Sequence, residues 1–313
     1  MGTKNSLITG LTVLLSIVCL TGETLNAQTI SKDELIYLTS AWKGERFTDG
    51  RPRIPDELIE RARHITIEDA WLVLRNEGYL CQFERDFRQD NPDAVMAGRA
   101  LTARFLPSRP DIEAKIKDRG WKDGFQGNTN SWPILKLQKG DVYIADAGGK
   151  ISGGTLIGDN LASSVFERSG NGVVFNGSAR DPEGISKIKG FHTWIRDWDP
   201  SFLENMVLTG LNVPVTLGQA IIMPGDLVLA KKEGVIFIPA HLAQTVIITA
   251  EFLALRAEFA NSVLAEGRFS AGQIDNQWTD EIKEAFLDWL KKNPDLLPMK
   301  REELDEYMKN RTW

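Results

Sequence analysis

Between residues 141 and 181 the chain reads as strand, glycine-rich turn, helix, tight turn and strand, an order that leaves few architectures open. Residues 141–145 alternate as a strand and are bounded by Gly140 and Gly148-Gly149. Residues 159–169 carry a helical pattern, and Val173-Val174-Phe175 is a short buried strand. A unit of this kind needs a sheet with helices packed on it. Further strands are expected at 98–106, 210–217, 226–231 and 235–239. Helices are expected at 55–63, at 67–77 with Thr66 as its cap, and at 240–266. The class is therefore α/β or α+β. Near the C-terminus Thr279-Asp280 opens an amphipathic helix whose stripe, Ile282, Phe286, Trp289 and Leu290, is expected to pack on the chain's own core.

The two ends differ from this middle. Lys4, the 14-residue apolar run from Leu7 to Leu20 and the small-residue site at Ala27-Gln28 form the pattern of a secretory signal peptide over residues 1–27. That pattern predicts an exported protein, periplasmic or secreted, with no stable membrane span after processing; an uncleaved anchor is the alternative. Residues 28–59 read as an N-terminal arm, with Ser31 capping a short helix and Arg51 and Arg53 in a turn-rich stretch that either binds an anion or is a solvated connector. Residues 60–262 form the core and 263–313 a helical extension. A net charge of −6 and no long basic run point away from nucleic acid as a partner. Cleavage would leave Cys81 as a lone thiol in an apolar context, expected to be buried, with no disulfide partner. His64, His192 and His241 lack metal-ligand spacing.

Chemistry concentrates in residues 153–181. The amides at a helix start bind anions, so those of Asn160 and Leu161, following Gly158-Asp159, are candidates to hold a carboxylate. The strand at 173–175 then delivers Arg180 and Asp181 at its end, where α/β folds gather functional groups. Arg180 offers a planar fork of donors for a carboxylate, carbonyl or enolate, and Asp181 offers hard oxygen for Mg²⁺ or Mn²⁺. The same residues also read as a helix cap at Asp159 and a surface ion pair of Arg180 with Asp181. Gly148-Gly149-Lys150 is not a phosphate-binding loop, since Ile151 stands where Ser or Thr is needed.

Asp159, twenty intervening residues and then Arg180-Asp181 resemble the signature of the RraA-like / 4-hydroxy-4-methyl-2-oxoglutarate aldolase family. Gly98-Arg99-Ala100-Leu101-Thr102, Gly140-Asp141-Val142 through Asp146, and Pro224-Gly225-Asp226 through Pro239 resemble its other motifs, in order. The resemblance implies a swivelling β/β/α sandwich of the RraA-like type with added terminal helices, forming a homotrimer or hexamer. It implies a divalent-metal-dependent, class II lyase that cleaves a 4-hydroxy-2-oxo acid, decarboxylates oxaloacetate, or both, by way of a pyruvate enolate.

By the same resemblance, Asp181 would be the protein ligand of the Mg²⁺ or Mn²⁺. Arg180 would bind the 2-oxo group, and Asp159 would orient a metal-bound water for proton transfer. Gly158, Asn160 and Leu161 would form the carboxylate cradle. The alternative is a non-catalytic binding or regulatory protein on the same fold; a ribonuclease-inhibitor role is disfavoured by export. Lys231-Lys232-Glu233 stands where the family often has an acidic residue directly after its Pro-Gly-Asp strand, and the terminal additions leave substrate choice open.

Overall fold

A computed structural model describes residues 29–309; the signal-peptide pattern lies outside these described residues. The helices are α1 (Lys32–Leu38), α2 (Asp56–Ala62), α3 (Ile67–Asn76), α4 (Pro110–Lys122), α5 (Asp159–Ser169), α6 (Pro182–Ile185), α7 (Ala243–Ala265), α8 (Ala271–Ile274), α9 (Asp280–Lys292) and α10 (Arg301–Lys309). The strands are β1 (Phe83–Glu84), β2 (Arg88–Gln89), β3 (Met96–Pro107), β4 (Asp141–Ile157), β5 (Val173–Ala179), β6 (Thr193–Trp198), β7 (Met206–Leu211), β8 (Val215–Leu217), β9 (Ala220–Ile222), β10 (Leu227–Lys231) and β11 (Gly234–Ile238). No helix among the described residues is long and apolar enough to cross a membrane.

One sheet runs β1-β11-β10-β3-β4-β5-β6-β2, with β7 also paired to β3. Its centre, β3 through β6, is parallel, and its other pairings are antiparallel. Strand periodicity sorts the side chains. Leu101, Ala103, Tyr143, Ala145, Val173 and Phe175 face a helical layer that includes Ala162 and Val165 of α5. Ala97, Leu227, Leu229, Ile236 and Ile238 face α2, α3 and the first half of α7. The alternate residues, Ala100, Val142, Ile144, Val174, Val228 and Phe237, pack on the β8–β9 hairpin. The result is a helix layer, a main sheet and a small second β layer.

Several elements depart from expectation. β4 does not stop at Gly148-Gly149. It continues to Ile157 through register shifts against β5, with Gly148, Gly149 and Gly153 at positive φ. This extension carries the chain straight into the start of α5. Cys81 is exposed, its Sγ 3.6 Å from Gln219 Oε1, not buried as its apolar neighbours suggested. Arg51 is neither an anion site nor a solvated group: it is fully buried, with Nη1 3.0 Å from Asp141 Oδ2 and Nε 2.8 Å from Asp49 Oδ2.

The C-terminal stripe packs as expected on the chain itself. Ile282, Phe286 and Leu290 meet Phe252, Leu255 and Phe259 of α7 in an aromatic cluster. Arg61 of α2 adds an ionic tie at the same end, pairing with Glu251 of α7 at 2.5 Å and Glu303 of α10 at 3.1 Å.

Candidate active site

The chain reaches the site twice, once from each of two neighbouring parallel strands. β4 ends at Ile157, and Gly158 begins α5 in an extended conformation. β5 ends at Ala179, and Arg180 N–H donates to Ile157 O at 3.0 Å, which pins the two strand ends together. Asp181 follows with φ +58 and ψ +50, a left-handed conformation uncommon for a non-glycine residue. It caps the short α6, its carbonyl accepting from Gly184 N–H and Ile185 N–H.

This arrangement brings the residues singled out in the sequence to one place. Gly158, Asp159, Asn160, Leu161 and Arg180 line a cleft of about 280 Å³. Asp181 reaches over Gly158 at its edge, with Oδ2 3.4 Å from Arg180 Nε. Gly158 has to be small: a Cβ there would stand 2.9 Å from Arg180 Nε and closer still to Asp181 Oδ2. Asp159 packs on the backbone of Gly184, where a Cβ would stand 2.6 Å from the Asp159 Cβ. The ion pair of the simpler reading is thus present, yet both side chains remain accessible, at 33 % and 42 % exposure. The cap at Asp159 is not: Gly158 occupies the N-cap position, and Asp159 Oδ1 accepts from the next amide, Asn160 N–H, at 2.8 Å. That leaves Leu161, like Asp159 itself, as a first-turn amide with neither an intrahelical acceptor nor the Asp159 carboxylate.

The cleft also contains residues that no motif marked. Phe202 lies against Arg180, the guanidinium carbon 4.5 Å from the ring centroid. Thr155, buried at the back, shares a hydroxyl cluster with Ser178 at 3.1 Å and Ser201 at 3.3 Å. Ser201 in turn holds the Asp199 carboxyl below its ordinary range through its hydroxyl and its amide. Asn128, Asn130 and Ser131 also line the cleft, Asn130 Nδ2–H donating to Leu156 O at 2.8 Å. Only β-bulges and long connections bring these residues together, so local patterning in the sequence carries no signal for them.

The donor set can be tested against a hard divalent ion. Among the described residues no cluster of three His, Cys, Asp or Glu side chains is placed to enclose a metal. Asp181 nevertheless presents an accessible carboxylate, one of whose oxygens approaches Arg180. Mg²⁺ prefers one or two carboxylates with several retained waters over an all-protein cage. The residues therefore fit a largely hydrated Mg²⁺ or Mn²⁺ held by Asp181.

Comparison with known proteins places this geometry in a family. The pattern described as RraA-like, Aldolase/RraA, matches residues 65–237. Relatives named "Putative 4-hydroxy-4-methyl-2-oxoglutarate aldolase" include one from Pseudomonas paraeruginosa, 31 % identical over 144 residues, covering 42 % of this chain and 86 % of that protein. One from Azotobacter vinelandii is 31 % identical over 148 residues with the same two coverages. Two further relatives, from Shewanella oneidensis and Alcanivorax borkumensis, are matched over 67 % and 64 % of their own lengths. Among solved structures, Streptomyces coelicolor RraAS2, described as an unusual member of the RNase ES inhibitor RraA family, superposes with TM-score 0.57 at 24 % identity. That match covers 67 % of this chain and 99 % of RraAS2. An uncharacterized protein from Pseudomonas syringae superposes with TM-score 0.58 at 17 % identity, covering 74 % of this chain and 98 % of the other. The fold is that of these proteins, and the chain belongs to the RraA-like family.

Proposed function

We propose that the protein is a divalent-metal-dependent lyase acting on a 2-oxo acid. In aldol cleavage the C3–C4 bond of a 4-hydroxy-2-oxo acid breaks and its electron pair passes to the enolate of pyruvate. The 4-hydroxyl gives up its proton as C4 becomes a carbonyl, and the enolate then takes a proton at C3. Oxaloacetate would lose CO₂ through the same enolate.

The observation that carries this reading is the convergence, in one cleft, of the Arg180 guanidinium with the first turn of α5. Arg180 would meet the 2-oxo oxygen, where negative charge grows, an interaction worth about 3 kcal/mol in a preorganised site. The Leu161 amide, and that of Asn160 once Asp159 turns away, would hold the substrate carboxylate at the positive end of the helix. Asp159 would orient a water that carries the proton to C3, a general acid–base contribution of roughly 10²–10⁴-fold. Mg²⁺ or Mn²⁺ at Asp181 would supply Lewis-acid stabilisation of the enolate oxygen. A small-molecule substrate, export and a trimeric or hexameric assembly complete the proposal.

The test is pyruvate release from oxaloacetate, corrected for the metal-only rate, with Mg²⁺ or Mn²⁺, with EDTA and with Asp181→Ala. The proposal requires activity that EDTA and the substitution both abolish. Turnover indifferent to both, or none above background, would reject it and favour a binding role for the cleft.

A further inference from the structure

The Arg180 side chain is held lightly for a group that has to meet a substrate. Its Nε lies 3.4 Å from Asp181 Oδ2, and its guanidinium carbon lies 4.5 Å from the Phe202 ring centroid. Phe202 is itself 62 % exposed, so little packing of its own keeps the ring in place. The position of the ring is therefore set through the backbone on either side of it.

Gly153 of β4 holds both ends of the turn that carries Phe202. Its N–H donates to Ser201 Oγ at 2.7 Å, and its carbonyl accepts from Glu204 N–H at 2.8 Å. Gly154 forms a β-bridge with Leu203 beside it. Gly153 is buried with φ +71, a conformation that glycine adopts at no steric cost. Of the two ends, the one at Ser201 depends on a side chain. The Ser201 amide also donates to Asp199 Oδ1 at 2.9 Å, and Thr155 Oγ1 stands 3.3 Å from the Ser201 hydroxyl oxygen. Thr155 is buried and lies 3.1 Å from the buried Ser178 hydroxyl, which donates to Ile151 O at 2.7 Å. Hydroxyls are costly to bury unless hydrogen-bonded, and these gather where the turn meets β4 and β5.

Resting on the lyase reading above for its effect on turnover, we propose that Ser201 is a positioning residue for Arg180 and acts through Phe202. Removal of the Ser201 oxygen leaves the buried Gly153 N–H without its acceptor. An unmade bond at a buried amide is costly, so the turn moves and takes the Phe202 ring off the guanidinium. Ser201 touches no substrate in this scheme; it sets where the Arg180 fork points.

The first arm of the test is free of turnover. In protein labelled with ¹³C and ¹⁵N in arginine, the Arg180 side-chain signals are assigned by their loss in Arg180→Lys and carry the ring-current shift of Phe202. Phe202→Ala is expected to remove that shift, Ser201→Ala to remove at least half of it, and Ser201→Thr, which keeps the oxygen, to restore it. Arg180 signals at their wild-type positions in either alanine variant would overturn the proposal. So would movement of the other arginine signals to the same extent, which marks a general loss of structure.

The second arm is a double-mutant cycle on KM for oxaloacetate. Ser201→Ala should raise KM about two- to fivefold, as loss of an exposed cation–π contact would, and Ser201→Thr should reverse it. Added to Phe202→Ala, Ser201→Ala should raise KM no further, because both act on one contact. An additive rise, or an unchanged KM in Ser201→Ala, would overturn the proposal. If wild type does not turn over oxaloacetate, the lyase reading fails by itself, and the NMR comparison alone decides whether Ser201 places Arg180.

Discussion

Gly158 lies directly beneath the Asp181 carboxylate, so close that a single methyl group at 158 would displace both Asp181 and Arg180. The Gly158 backbone, at φ −119 and ψ −169, suits any residue, so the constraint is space and not conformation. Gly158→Ala should therefore leave the melting temperature nearly unchanged while lowering kcat/KM about a hundredfold, the usual effect of moving reacting groups by about 1 Å. Parallel kinetic and thermal measurements on the variant check this; an active Gly158→Ala would mean that the Arg180–Asp181 geometry is not used.

Phe202 positions Arg180 by stacking on it at 4.5 Å. An exposed cation–π contact is worth roughly 0.5–1 kcal/mol, so Phe202→Ala should raise KM for the 2-oxo acid about two- to fivefold, and Phe202→Tyr should restore it. Steady-state kinetics on the two variants decide the point, and equal KM values for Ala and Tyr would count against it.

The Arg51–Asp141 pair ties the N-terminal arm to the strand that leads into the site, and both side chains are fully buried. Removing Arg51 leaves the buried Asp141 charge with only the Gln138 amide and the more distant Arg99, at 3.9 Å, to offset it. Arg51→Met should cost about 3–5 kcal/mol in denaturant unfolding. A loss under 1 kcal/mol would show that water reaches Asp141.

The path from residues to site was legible where local physics decides structure. The first turn of α5 and the end of β5 follow from glycines and apolar runs, and with them the cluster of Gly158, Asp159, Arg180 and Asp181. It failed where distant partners decide. Gly148-Gly149 looks like a stop, but pairing with β5 carries β4 on to Ile157. Arg51 looks like a surface residue until Asp141, ninety positions away, meets it in the core. The short β1 and β2 exist only as partners of β11 and β6, and residues 128–131 reach the cleft only through tertiary packing.

Asp226 is buried where two amides, Met223 N–H and Ala240 N–H, donate to its carboxyl, and burial pushes it up from 3.8 to about 7. A raised value in the folded state favours the protonated form. Its contribution to stability is complete below about pH 4 and is lost as pH rises through about 7. Unfolding free energies measured between pH 4 and 8 should therefore carry a downward term of up to roughly 1.4 kcal/mol per pH unit that is missing in Asp226→Asn. Parallel pH profiles for the two proteins would refute the assignment.

The central claim, that the cleft stabilises the enolate of pyruvate, is tested most directly by hydrogen exchange at pyruvate C3 in D₂O. Exchange, followed by the loss of the methyl proton signal in NMR, needs no knowledge of the physiological substrate. The account predicts exchange well above the metal-only rate with Mg²⁺ or Mn²⁺, lost with EDTA, with Arg180→Met and with Asp181→Ala. Exchange no faster than the metal-only control, or surviving both substitutions, would contradict it.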